Sequence, residues 1–122
     1  MSKLVDNQVS DTPVVTQDWH ATFLELAGTE PDPDRPLDGV SLVGHLLGGR
    51  PAPERDLFWR MRGSRALRRG DLKYYQGADG VAKLFDLATD AREPANLAAK
   101  WPDDLAALKA AWEDVNATLL PY

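Results

Sequence analysis

Few side chains in this sequence of 122 residues are types that do chemistry. It holds no cysteine, which excludes disulfides, thiolate metal sites and a cysteine nucleophile together. His20 and His45 are its two histidines, and histidine serves as general base, oxyanion ligand or metal ligand. His20 follows Trp19 on a helical pattern, and His45 sits among leucines with no carboxylate at i±4. Two histidines without a matching carboxylate and spacing do not make a hydrolytic zinc site, so both read as structural or surface residues. Ser10, Ser41 and Ser64 fall in turns or caps, none in a G-x-S-x-G elbow. Asp86, Asp90 and Glu93 are spaced as turn and cap residues rather than as an acid–base pair. Trp19, Trp59, Trp101 and Trp112 would suit a carbohydrate platform. Three of them fall on apolar stripes or at a helix start, which makes core their expected role.

The arginines are the remaining candidates. Seven of the 14 cations lie between Arg55 and Lys73, against Asp56 and Asp71 alone. Arg60, Arg62, Arg65, Arg68 and Arg69 form a candidate anion-binding set, because planar guanidinium groups match sulfate and phosphate oxygens. The competing and simpler reading is that they line the solvent face of a sheet and discourage edge pairing. The formal charge of −5 argues against a nucleic-acid partner, which calls for a basic excess. A hydrophobic fraction of 43% and a charged fraction of 27% are ordinary for a soluble globular chain. No run approaches the roughly 18 apolar residues that span a bilayer. The first residues lack the apolar stretch of a signal peptide.

The elements that must position these residues follow from periodicity. Residues 1–15 read as an extended lead-in ending at Thr12-Pro13-Val14-Val15. Residues 16–50 form a helical segment with a proline-rich loop. Thr16 is the expected N-cap, with Asp18 in the first turn. Trp19, Phe23, Leu26 and Ala27 recur at helical spacing, which predicts one buried face, and Gly28 suits a left-handed C-cap. Three prolines in residues 29–38 make a loop, and Ser41 is placed to cap a short helix through Leu47 that Gly48-Gly49 ends. Residues 51–122 form a sheet plus a helix. Alternation from Asp56 gives four short strands with turns at Gly63-Ser64, Gly70-Asp71 and Gly77–Gly80, the last strand covering Val81 to Leu87. Such short connections require an antiparallel meander. Asp90 and Glu93 have capping-box spacing and predict a helical turn through Asn96 and Leu97. Pro102 opens a last helix striped by Leu105, Leu108, Trp112, Val115 and Leu119. The class is α+β: short N-terminal helices, a four-stranded antiparallel meander and a packed C-terminal helix.

Three patterns in order carry a family resemblance. Thr12-Pro-Val-Val-Thr-Gln-Asp-Trp-His-Ala-Thr-Phe-Leu-Glu-Leu-Ala-Gly28 resembles the sulfatase segment "D-x-x-P-T-L-L-x-L-A-G" that follows the catalytic core. Leu37-Asp-Gly-Val-Ser-Leu42 resembles that family's "L-D-G-x-S-L". Leu84-Phe-Asp-Leu-Ala-Thr-Asp90 with Glu93 and Asn96-Leu97-Ala98 resembles its "L-Y-D-L-x-x-D-P-x-E-x-x-N-L-A". The likeness runs from residue 10 to about residue 115. Ala21 and Ala91 stand where the family has proline, and His20 where it often has an aromatic, departures that touch local helix starts.

The resemblance implies a C-terminal part of a sulfuric ester hydrolase whose family uses calcium and a formylglycine nucleophile. The nucleophile's "C/S-x-P-S/A-R" motif is not present here. Asp6-Asn7 matches the family's metal-binding "D-N" pair as a dipeptide only, in the wrong place. The expectation is therefore a noncatalytic scaffold or cleft wall, with no catalytic residue, metal site or cofactor of its own. A free-standing module for an anionic ligand and one subunit of a split sulfatase are the alternatives. A phosphonate or phosphodiester hydrolase of the same superfamily is the alternative parent. In the sulfatase arrangement residues 10–28 pack partly against the core. The expected partner is thus a separate catalytic core chain or a second copy, as a homodimer through residues 10–28.

Overall fold

The computed structural model describes residues 8–89, 92 and 95–121. The chain forms two compact units that divide between Pro53 and Glu54. Among the described residues the class is α+β, with helices in the first unit and a four-stranded antiparallel sheet with a helix in the second.

The first unit holds helix α1 (Gln17–Leu26) and the single turn α2 (Val43–Leu46). Thr16 is not the cap its type suggests: its backbone is helical and its side chain makes no cap bond. Asp18 does that work from inside the first turn, its Oδ2 accepting the Val15 N–H at 2.9 Å. This is the returning half of a capping box counted from Val15. The same carboxylate accepts the Val40 N–H through Oδ1 at 3.1 Å. One turn on, the Thr22 hydroxyl donates to the Asp18 carbonyl at 2.6 Å and accepts the Leu42 N–H at 3.0 Å. A buried carboxylate is tolerated only when hydrogen bonds replace its water, and these bonds fasten the 40–42 segment to α1.

That fastening decides which face of α1 is covered. Asp18, Ala21 and Thr22 are buried, whereas Trp19, Phe23 and Leu26 are 43%, 61% and 56% exposed. The apolar face predicted to be buried is therefore the outward one. The helix ends as its glycine suggests. Gly28 has φ +70°, its N–H donates to Glu25, and the Thr29 N–H donates to Leu24, a Schellman arrangement. In α2 the Ser41 hydroxyl accepts the Val43 N–H at 3.3 Å. Gly49, at φ +61°, follows the last turn.

In the second unit, strands β1 (Asp56–Met61), β2 (Ser64–Arg69), β3 (Leu72–Gln76) and β4 (Ala82–Asp86) lie in sequence order, all antiparallel. Phe58, Leu67, Tyr74 and Leu84 are register partners across the four strands. They meet Leu108 and Trp112 of α3 (Pro102–Ala117) to make the core. Burying each such side chain stabilises by about 1.5–3 kcal/mol. Phe58 and Trp112 stack at 5.3 Å. Burial pushes the Tyr74 phenol above its ordinary range, against the opposing pull of Arg65, and its hydroxyl donates to Gln76 at 2.9 Å.

Both sheet edges are occupied. At β1 the Trp112 indole donates to the Trp59 carbonyl at 3.0 Å. At β4 the Leu97 N–H donates to the Leu84 carbonyl at 2.7 Å, and Asn96 Oδ1 accepts the Leu84 N–H at 3.1 Å. Asn96 and Leu97 thus extend beside β4 instead of forming the expected helical turn. The turn comes afterwards, at Ala98–Lys100. Asp90 and Glu93, the expected capping box, lie outside the described residues. The first hairpin also differs by one position. Its loop is Arg62-Gly63, because Met61 pairs with Ser64.

Gly39 explains why the Leu37–Leu42 pattern contains a glycine. A Cβ there would collide with the backbone carbonyl of Gln17 and lie 2.6 Å from the Asp18 nitrogen. Gly39→Ala is expected to cost roughly 2–3 kcal/mol in chemical denaturation, since neither backbone can give way. Gly28→Ala meets open space and should cost only about 1 kcal/mol through its positive φ. A Gly39 variant no worse than the Gly28 variant would contradict this packing.

Candidate functional site

The five arginines do not share one face. Strand alternation sends Arg60, Arg65 and Arg69 to the side of the sheet that carries the α3 core, and Arg68 to the other. Arg62 sits in the hairpin loop with φ +51°, in the left-handed region where a bulky residue is strained. Arg69 makes a paired bond to its register partner Asp56, at 2.8 and 2.7 Å. That bond raises the Arg69 guanidinium pKa further. Arg68 donates to the Gly70 carbonyl at 2.8 Å and lies 3.8 Å from Asp71. Arg68 thus closes the β2–β3 turn, and Arg69 ties β2 to the start of β1.

Arg60, Arg62 and Arg65 come together at the other end of the sheet. With Trp112, Asn116, Leu119 and Pro121 they line an open pocket of about 380 Å³. Arg60 and Arg65 are direct register partners. Arg60 donates to Asn116 Oδ1 at 2.7 Å and to the Leu120 carbonyl at 2.9 Å. Arg65 donates to Glu113 Oε1 at 2.8 Å and lies over the Trp112 ring, 4.3 Å from its centroid. Glu113 and Asn116 were not legible in the sequence as partners of these arginines. Both project from α3, and only the docking of that helix on the sheet brings them to the hairpin. Their spacing to Trp112, one and four residues, was the available signal.

The other candidates have structural partners. His20 is exposed. His45 Nε2 meets the hydroxyls of Ser10 and Thr12 at 3.0 and 3.2 Å, and its Nδ1 lies 3.0 Å from the Arg50 carbonyl. It ties the lead-in to the end of α2. Ser41 is not the N-cap of α2, which is Leu42 without a side-chain cap bond, although its hydroxyl accepts the Val43 N–H; Ser64 lines the arginine pocket, and Asp86 Oδ1 accepts the Ala88 N–H at 3.0 Å in a turn. Trp112 is core and Trp101 packs against it, while Trp19 and Trp59 are exposed. Among the described residues no group of three or more His, Cys, Asp or Glu side chains could hold a metal ion. Among the same residues no helix is long and apolar enough to cross a membrane.

No family model matches the chain. It is similar to an uncharacterized sulfatase of Schizosaccharomyces pombe, with 33% identity, over 85% of this chain and 21% of that relative. Its fold is similar to a solved Bacteroides thetaiotaomicron protein described under the metabolism of multiple glycosaminoglycans. The TM-score is 0.69 at 19% identity, over 82% of this chain and 24% of the other. It is also similar to the phosphonate monoester hydrolase of Agrobacterium radiobacter, with a TM-score of 0.60 at 25% identity, over 84% of this chain and 25% of the other. The chain thus spans about a fifth to a quarter of the proteins it matches.

An antiparallel meander closed by a C-terminal helix, joined to a helical segment with the Leu37–Leu42 pattern, is a subdomain of the alkaline-phosphatase-like superfamily. Within it the chain matches a C-terminal subdomain of sulfatase-like proteins. That family is one of calcium and formylglycine. The residues here fit neither group: the described donors form no metal cluster, and the sequence has no cysteine or serine in the nucleophile motif. No catalytic step through either group is assigned to this chain.

Proposed function

We propose that this chain is the scaffold of a sulfatase-like sulfuric ester hydrolase whose nucleophile and calcium come from a catalytic core. In this reading the outward face of α1 is the seat of that core. The observation that carries it is the inverted burial of α1. The helix covers Asp18, Ala21 and Thr22 and leaves Trp19 and Phe23, stacked 6.0 Å apart, in solvent with Leu26. Apolar surface is worth about 25 cal/mol per Å² when covered, and contiguous exposed patches of this kind mark interaction sites. The size of the relatives supports a core as the occupant, because at least three-quarters of each lies outside the matched segment. The identity to a sulfatase favours a sulfate ester over the phosphonate ester of the Agrobacterium enzyme.

Two outcomes are expected. Purified alone, the chain does not turn over a chromogenic aryl sulfate, with or without calcium. Turnover that survives repurification and is abolished by one substitution in this chain would overturn the scaffold reading. Without a core, two copies cover the same face by a two-fold contact, the commonest closed arrangement. Sedimentation equilibrium should show a concentration-dependent dimer that Phe23→Asp makes monomeric, with the fold retained because Phe23 is 61% exposed within its own chain. A strict monomer at high concentration, or a dimer indifferent to Phe23→Asp, would remove α1 as the docking face.

A further inference from the structure

We propose that the surface seated on α1 is apolar at its centre and carries lysine or arginine side chains at its rim. Charge then selects this surface, that of the catalytic core, over a second copy of the chain. The inference rests on the reading of α1 as the docking face and names the chemistry of its occupant.

The charge is divided unevenly between the two units. Residues 54–122 hold eleven acidic and eleven basic side chains. Residues 1–53 hold eight acidic and three basic ones, so the net −5 belongs entirely to the unit that carries α1. Asp18 is buried in its joint with Val15 and Val40. Asp11, Glu25, Glu30, Asp32, Asp34 and Asp38 are all exposed. Among the described residues of this unit the Lys and Arg side chains are those of Arg35 and Arg50, and Arg35 lies 4.0 Å from Asp32.

This excess reaches the exposed stripe at the end of the helix. A helix C-terminus is the negative end of the backbone dipole and favours a cation. The last turn of α1 has no basic residue. It holds Glu25 instead, and Glu30 follows soon after the turn at Gly28. Phe23 and Leu26 lie in that same half of the helix, 61% and 56% exposed. A partner that covers them and places a cation beyond Leu26 offsets the helix end and both carboxylates together. A second copy brings no such cation. Two-fold pairing puts one patch on both sides, which sets one −5 unit against another. Like charges brought together suppress a wrong partner. The apolar stripe accepts either occupant, and the charge separates them.

The test reads both occupants by their response to salt. Sedimentation equilibrium of the full chain follows the contact between copies at about 20 mM and about 500 mM sodium chloride. The Debye length falls from roughly 20 to roughly 4 Å between them, so the dimer should tighten about tenfold. Glu25→Gln combined with Glu30→Gln should tighten it at low salt and flatten the salt response. For the unlike occupant the probes are two synthetic helical peptides with the same leucine stripe, flanked by lysines in one and by glutamates in the other. Fluorescence anisotropy should show the lysine peptide bound about tenfold more tightly, and weakened by salt, by Phe23→Ser and by the paired Gln substitutions. A dimer weakened by salt, equal binding of the two peptides, or lysine-peptide binding indifferent to Phe23→Ser would each overturn the charge selection. A Phe23-dependent dimer would still leave α1 as a docking face. No dimer at either salt and no binding of either peptide would remove the docking face itself, so the two readings fail distinguishably.

Discussion

The first unit depends on one buried carboxylate. Asp18 has lost its water, and its oxygens must be satisfied by the backbone. The Val15 and Val40 amides do so from opposite directions along the chain. Thr22 repeats the arrangement one turn later, giving its proton to the helix and receiving that of Leu42. Gly39 must be glycine because this junction brings two backbones into contact. The polar side of α1 is therefore the covered side, and the aromatic side faces outward. The interaction face follows from a hydrogen-bonding requirement, not from the helix's own apolar pattern.

The same logic operates in the second unit with different groups. A four-stranded meander leaves two edges with unpaired amides and carbonyls. Asn96 and Leu97 bond to Leu84 at one edge, and the Trp112 indole bonds to Trp59 at the other. Asn96 Oδ1 accepts from Leu84 and from Ala98, so a single amide side chain shapes the segment that returns along β4. In both units the residues that carry the sulfatase resemblance act as fasteners of backbone to backbone. That accounts for a chain whose sulfatase-like patterns lie at its joints.

The sheet was legible in the sequence because alternation, glycine turns and short connections all agree on one topology, and Pro102 marked the last helix. The face of α1 was not. Trp19, Phe23 and Leu26 show which side is apolar, but covering depends on Asp18 reaching Val40, a contact across 22 positions. The capping reading of Thr16 failed because the amides it would cap, those of Asp18 and Trp19, already donate to the Val15 and Thr16 carbonyls. The arginines were legible as a set but not as a site. Arg68 and Arg69, being adjacent on a strand, had to part to opposite faces. The gathering of Arg60, Arg62 and Arg65 needed the one-residue difference in the hairpin and the docking of α3.

The central claim is that these family patterns are structural joints, and native-state hydrogen exchange tests it most directly. Val40 and Leu42 lie outside every strand and before the α2 turn, so without the Asp18–Thr22 joint their amides would exchange like those of a loop. The account predicts that both are protected far beyond the amides of the 29–36 loop, and that Thr22→Val selectively releases Leu42. Exchange of Val40 and Leu42 at the rate of that loop in the unaltered chain would contradict it.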